Sequence, residues 1–221
     1  MAVLLSYPIR AGEATWPGNP TVSYTPHESM EKGDAANTGT IHLFNHYGTH
    51  MDAPYHFVKD GLKIAQVPFE RFRFDRPLLL DVPMAPAQLI LPEDLKPYHS
   101  AIAQCDLLML RTGMAAIRAS DPQTYSARGP AVSSACSRWL MDNFPALNGL
   151  ALDFVSLASY AHGEDGPATH RLMLGAEHDH YVLVIEDVNL SPLNSEHLGR
   201  VYAIPLLIEG IDSSPVTMWM E

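Results

Sequence analysis

The stretch Phe44–Phe57, FNHYGTHMDAPYHF, sets His46, His50, Asp52 and His56 within eleven residues, with Gly48, Thr49 and Pro54 between them. From His42 to Phe57 the chain alternates. His42, His46, Gly48, His50, Asp52, Pro54 and His56 fall on even positions, and Ile41, Leu43, Tyr47, Met51, Ala53, Tyr55 and Phe57 on odd ones. Period two predicts a strand with an apolar face on the core and a polar face turned away from it. A straight strand rises ~3.3 Å per residue, so it would hold His46 and Asp52 roughly 20 Å apart. Metal ligands sit ~2.0–2.2 Å from a shared ion. The chain must therefore bend, and Gly48 and Pro54 are the residues that permit it. A polar loop of unconnected histidines is the competing reading. Four ligand-type residues in register, with bending residues between them, favour a divalent metal site.

Beyond this segment the chain reads as alternating strands and helices. RPLLLDVP (76–83) and DLLMLRTG (106–113) are short apolar runs bounded by proline or glycine, which predicts buried strands. Between them LPEDLKPYHSAIAQ opens with Pro92, Glu93 and Asp94, a helix start. SSACSRWLMDNF puts Cys136, Trp139, Leu140 and Phe144 on one helical face, with Ser133 or Ser134 as cap. GLALDFVSL, HYVLVIEDV and VYAIPLLIEG supply three more apolar strands, and the Thr-, Tyr- and Pro-rich N-terminal segment is expected to add antiparallel ones. With no repeat or linker, this pattern predicts one α/β domain over 1–221, a mixed central sheet flanked by helices.

Composition narrows the function classes. The formal charge is 14 − 25 = −11 with no basic run, which argues against a nucleic-acid partner. No stretch approaches the roughly 20 apolar residues of a membrane span, so no membrane partner is expected. The apolar run at the N-terminus is short and broken by Pro8, so no signal peptide is read there and the expected compartment is the cytoplasm. Cys105 and Cys136 read as buried apolar residues. Asp153, Glu164 and Asp165 read as solvated loop or strand-end carboxylates, with His162 and Glu164 as outside candidates. His178, His180 and Glu186 have too long a spacing for the HxH-plus-Glu pattern of a cupin. HExxH, GxSxG and phosphate-cradling glycine loops are absent from the sequence.

His46-Tyr-Gly48-Thr49-His50-Met-Asp52-Ala53-Pro54-Tyr-His56 resembles the HxGTHxDAPxH motif of the metal-dependent cyclase family, which includes bacterial kynurenine formamidases and isatin hydrolases. The resemblance covers most of the chain. TWPGNP resembles the segment whose tryptophan lines the substrate pocket, here Trp16. LLMLRTG resembles the family's strand ending in Arg-Thr. ATHRLMLG and LVIEDVNL resemble the stretches that supply a further histidine and a glutamate, here His170 and Glu186. GIDSSPV resembles the closing Asp-Ala/Gly-Ser-Pro-Val. Two departures stand out: residues inserted at GAEHDH between His170 and Glu186, and a terminus PVTMWME without the arginine of many relatives.

The resemblance implies a swivelling β/β/α metal hydrolase that uses zinc, with two ions, or manganese. His46, His50 and Asp52 would hold one ion, and Asp52, His170 and Glu186 a second. His56 would be the general acid/base. The implied substrate is a small aromatic amide, N-formylkynurenine first, with isatin or another cyclic amide or lactone as the alternative. Trp16, Tyr47 and Phe57 could stack on its ring, although odd parity sends Tyr47 and Phe57 toward the core. A metal-binding protein without turnover is the reading from a different class, and a cupin-type oxygenase a third. The resemblance also implies a homodimer or homotetramer, with the apolar PVTMWME as the partner-facing segment.

Overall fold

A computed structural model of the protein describes residues 2–221. The strands in chain order are β1 (Val3–Leu4), β2 (Ser23–Glu28), β3 (Thr38–His42), β4 (His50–Asp52), β5 (Arg73–Phe74), β6 (Pro77–Asp81), β7 (Leu89–Ile90), β8 (Leu107–Arg111), β9 (Ala131–Val132), β10 (Gly149–Leu152), β11 (Leu183–Glu186), β12 (Val201–Pro205) and β13 (Ser213–Met220). The helices are α1 (Pro92–Leu95), α2 (His99–Ile102), α3 (Met114–Ser120), α4 (Pro122–Ala127), α5 (Ser134–Asn143) and α6 (Gly166–Met173). The main sheet runs β5-β12-β13-β4-β11-β10-β8-β6, with β1 added on β13. Strands β11, β10, β8 and β6 pair in parallel, and β4 is antiparallel to both β11 and β13. The fold is therefore the mixed α/β arrangement that the alternating pattern predicts.

Successive residues of the parallel strands feed two cores, one on each face of the sheet, as a sheet buried on both sides requires. Leu108, Leu110, Leu150, Leu152 and Val184 pack against Leu140, Phe144 and Met173 of the helical layer. Leu107, Met109, Ala151, Leu183 and Ile185 pack on the other side with Phe72, Phe74 and Met218. Met51 and Ala53 belong to that second core. By parity His50 and Asp52 face the helical layer, where α6 lies, and so does Glu186, two residues after Val184. Helix α5 starts where Ser133 accepts a hydrogen bond from the Cys136 N–H at 3.1 Å.

Four expectations change. The alternation from His42 to Phe57 is not one strand: only His50–Asp52 pairs, and Pro54–His56 is a 3₁₀ turn. Gly48 takes the left-handed conformation at φ 66°, and Pro54 opens the turn, so the chain bends at both residues. The helix expected from Pro92 breaks into α1, a 3₁₀ turn and α2, because Pro97 can neither donate its hydrogen bond nor continue the helix. PVTMWME belongs to β13, a strand paired on both sides, with Val216, Met218 and Met220 buried; its apolar character serves the core. Finally, Asp153 is not solvated. It is 1% exposed and accepts from the N–H and hydroxyl of Thr112 and from the N–H of Gly113.

The hairpin of β2 and β3 stands off the body, with Tyr24 56% and Ile41 65% exposed. Cys105 and Cys136 are buried free thiols.

Candidate metal centre and active site

Strand β4 lies between β11 and β13, and its register sets the centre of the site: His50 faces Glu186 across the ladder and Asp52 faces Val184. The Nδ1 of His50 donates to the carbonyl of Gly48 at 2.8 Å, which leaves Nε2 as the free nitrogen. That Nε2 lies 3.3 Å from Glu186 Oε2 and 3.7 Å from Asp52 Oδ1. His170 repeats the arrangement from α6. Its Nδ1 donates to the Gly166 carbonyl at 2.8 Å, and its Nε2 faces Glu186 Oε1 at 3.5 Å and Asp52 Oδ2 at 3.9 Å. His46 Nδ1 approaches Asp52 Oδ1 to 3.1 Å, and His56 Nε2 stands 3.9 Å from Asp52 Oδ2.

These approaches are close but are not aligned as hydrogen bonds. Both oxygens of Asp52 and the Nε2 of His50 are buried without a hydrogen-bond partner. A fully buried carboxylate left in that state is costly unless a charge compensates it. Imidazole nitrogens and carboxylate oxygens that converge on common points are the donor set that zinc or manganese takes. Two groups have donor atoms mutually within 4.8 Å, namely His46–Asp52–His56 and His50–Asp52–Glu186. The division differs from the expected one, since His56 joins the first group and His50 goes with Glu186. The other four expected ligands, His46, His50, His170 and Glu186, nonetheless lie around Asp52.

The field agrees with a cation site. Burial pushes the His46 imidazolium down, but Asp52 and Asp212 outweigh it and hold its pKa up to about 10. Burial also opposes charge on His50 and His170, and there too Glu186 and Asp52 win, raising both. Asp52 and Glu186 are held below the usual carboxylate range by the histidines, against the burial that would raise them.

Two residues of the site escape the sequence reading. Asp212 accepts from His46 Nε2 at 2.9 Å and from His56 Nδ1 at 2.7 Å. Ser156 donates to Glu186 Oε1 at 3.1 Å beside the Leu157 N–H at 2.6 Å. The only sequence signal for Asp212 is its place in GIDSSPV, and Ser156 has none.

A cavity of about 350 Å³ opens over the cluster, lined on its apolar side by Trp16, Phe44, Phe57, Val155, Ala158 and Pro167. Trp16 sits at an edge-on 5.7 Å from Tyr160, and Phe57 stacks on the His170 ring at 4.7 Å. Phe57 therefore lines the cavity despite its parity. Tyr47 follows its parity, fully buried with its hydroxyl on the Arg10 carbonyl. His162 bonds the Ala87 carbonyl, Asp165 accepts from the Ser134 N–H, and neither enters the cluster.

The family description "Putative cyclase" matches residues 3–159. The chain belongs to this cyclase family. An uncharacterized protein of Haemophilus influenzae is 42% identical over 110 residues, half of this chain and 78% of that protein. Kynurenine formamidase of Bacillus cereus is 26% identical over 214 residues, covering 96% of this cyclase-family chain and 93% of the formamidase. Among solved structures, isatin hydrolase A from Labrenzia aggregata superposes with a TM-score of 0.82 at 19% identity, covering 100% of this chain and 93% of its own. A potential metal-dependent hydrolase with cyclase activity follows at a TM-score of 0.72 and 21% identity.

Behind Glu186 the cyclase-family chain turns sharply. Asp187 adopts φ 53°, and its carboxylate takes both arms of the Arg118 guanidinium at 2.8 and 3.0 Å and the Tyr125 hydroxyl at 2.6 Å. Arg118 lies over the Tyr7 ring at 3.8 Å. Its guanidinium is raised above its usual range: burial disfavours the charge, and Asp187 more than restores it. Thr49 of the histidine segment bonds the Asp187 carbonyl at 2.6 Å, so the pair also anchors the ligand-bearing turn. Arg118→Ala would leave Asp187 buried and uncompensated, which costs ~3–5 kcal/mol. In a chain of this size that corresponds to a melting-temperature loss of roughly 6–20 °C. Calorimetry should show it, and a loss below about 2 °C would contradict this account.

Proposed function

We propose that this chain is a metal-dependent hydrolase that opens an amide C–N bond on a small aromatic substrate, with N-formylkynurenine the first candidate. The observation that carries the reading is the orphaned pair of Asp52 oxygens, ringed by imidazoles under an aromatic cavity. His46, His50, Asp52, His170 and Glu186 would hold one or two ions of zinc or manganese. A bound divalent ion supplies Lewis acidity and brings the pKa of water toward ~7. The protein's own groups do the rest. His50 and His170 are fixed by backbone carbonyls, so their free nitrogens need no reorganisation. Trp16 and Phe57 orient an aromatic ring above them. His56 takes the proton of the attacking water as the C–O bond forms and returns it to the leaving nitrogen as the C–N bond breaks. Kynurenine formamidase at 26% identity over nearly the whole chain supports the formamide as the first candidate.

One observation favours the second reading, a ring-opening hydrolase of isatin or a related lactam. No lysine or arginine is among the described residues that line the cavity, so a substrate carboxylate would find neither of these side chains to pair with there. The zinc- and manganese-loaded protein should be assayed against N-formylkynurenine, isatin and simple lactones. Turnover of one of them at a kcat/KM of ~10⁴ M⁻¹s⁻¹ or above is the expected result. Absence of turnover on all, with metal bound, would leave a binder in place of an enzyme.

A further inference from the structure

Asp212 lies 156 residues beyond His56 and directly precedes β13. Its Oδ2 is 2.9 Å from His46 Nε2 and 2.7 Å from His56 Nδ1, and its Oδ1 accepts from the Asn45 amide at 2.7 Å. Asn45 also reaches the Ser213 hydroxyl at 2.8 Å, and the Asp212 carbonyl takes the Ala53 N–H at 2.9 Å. Both the side chain and the backbone of Asp212 are therefore tied to the histidine segment, on either side of Asp52.

An ionised carboxylate only accepts hydrogen bonds, so each imidazole must present an N–H to it. With an ion bound, His46 would be neutral, with its proton on Nε2 and its lone pair on Nδ1, the atom 3.1 Å from Asp52. His56 carries its proton on Nδ1 and keeps its lone pair on Nε2, the atom that faces the Asp52 side of the cluster. The two rings lie 4.3 Å apart, and without a shared acceptor nothing else in contact with their outer nitrogens would choose between tautomers.

We propose that Asp212 is a positioning residue, a single carboxylate oxygen that fixes the tautomers of a ligand histidine and of the proton-transfer histidine together. The proposal rests on the hydrolase reading, because only there must His56 keep Nε2 free. Outer-shell carboxylates on ligating histidines commonly have this effect, and their loss costs ~10–100-fold in metal affinity or activity. Here the same oxygen serves a residue that does not need to bind metal at all.

Asp212→Asn tests it. Both rings meet Oδ2, and the Asn45 amide N–H on Oδ1 keeps an oxygen on that side. The asparagine NH₂ therefore falls where the rings are and presents N–H to each, and at least one histidine must turn over its tautomer. Two-bond ¹⁵N–¹H spectra of the imidazoles in the zinc-loaded protein should show His46 protonated at Nε2 and His56 at Nδ1 in the wild type, and a changed tautomer for at least one of them in the variant. kcat should fall ~10–100-fold with KM within about twofold, and Asp212→Glu should recover part of it. Unchanged imidazole spectra in a folded Asp212→Asn protein would overturn the proposal. So would a wild-type His56 protonated at Nε2 alone. The spectra decide the matter whether or not any substrate is hydrolysed, so failure of the hydrolase reading shows separately, as a wild type without turnover. If Asp212→Asn does not fold, the wild-type tautomers and Asp212→Glu carry the test.

Discussion

Asp52→Ala should lose bound metal and hydrolytic activity together, and with them the stabilisation that metal confers. Asp52 is fully buried, and four histidines and Glu186 gather around it. It is the one residue common to both donor groups, so its removal takes an oxygen from each. The neighbouring register, Val184 opposite Asp52 and Ser213 on the other side, offers no replacement carboxylate. At a metal concentration 1,000-fold above Kd, binding to the folded state alone stabilises by ~4.1 kcal/mol. For a chain of this length that is a melting-temperature rise of roughly 8–16 °C on loading the wild type. In Asp52→Ala the rise should vanish, elemental analysis should find little metal, and turnover should fall to that of the blank. A variant that still takes up zinc or manganese with the wild-type thermal shift would show that the ions sit elsewhere.

The parts of this molecule that sequence makes legible are those whose chemistry is local. His46, His50, Asp52 and His56 lie within eleven residues, and the even parity of His50 and Asp52 does place those two on the side away from Met51 and Ala53. The apolar runs at Leu107–Arg111, Gly149–Leu152 and Leu183–Glu186 are strands because nothing but a two-sided core accounts for them. Alternation alone misleads once the bends enter: a glycine at φ 66° and a 3₁₀ turn preserve the period while ending the strand. What arrives from a distance is not legible. Asp212 sits in a polar run before a strand and looks like ordinary turn chemistry until β13 is laid beside β4. Asp153 looks solvated from its neighbours, and only the turn at Thr112 and Gly113 supplies the donors that allow its burial. The division of donor groups around Asp52 likewise depends on side-chain directions that no spacing rule contains.

That division gives the last prediction its edge, because His56 lies near enough to Asp52 to be a ligand. If it transfers protons, His56→Asn should keep its metal content near wild type while kcat falls ~10²–10⁴-fold, the usual worth of a general acid/base. Three features favour that outcome. The His56 Nε2 is 3.9 Å from Asp52 without the second carboxylate contact, to Glu186, that His50 and His170 make, and its ring is partly open to the cavity and to solvent. Its Nδ1 is engaged by Asp212, which leaves one nitrogen for chemistry. The donor set is also sufficient without it, since His46, His50, His170, Asp52 and Glu186 supply three imidazoles and two carboxylates. Asparagine occupies similar space and can still bond Asp212, but it has no basic nitrogen, so the substitution removes proton transfer with little disturbance of the turn that begins at Pro54. The measurement is metal content alongside steady-state kinetics on whichever substrate the wild type hydrolyses. Loss of metal in His56→Asn as complete as in Asp52→Ala would make His56 a ligand, and the water's proton would then need another acceptor in the cavity.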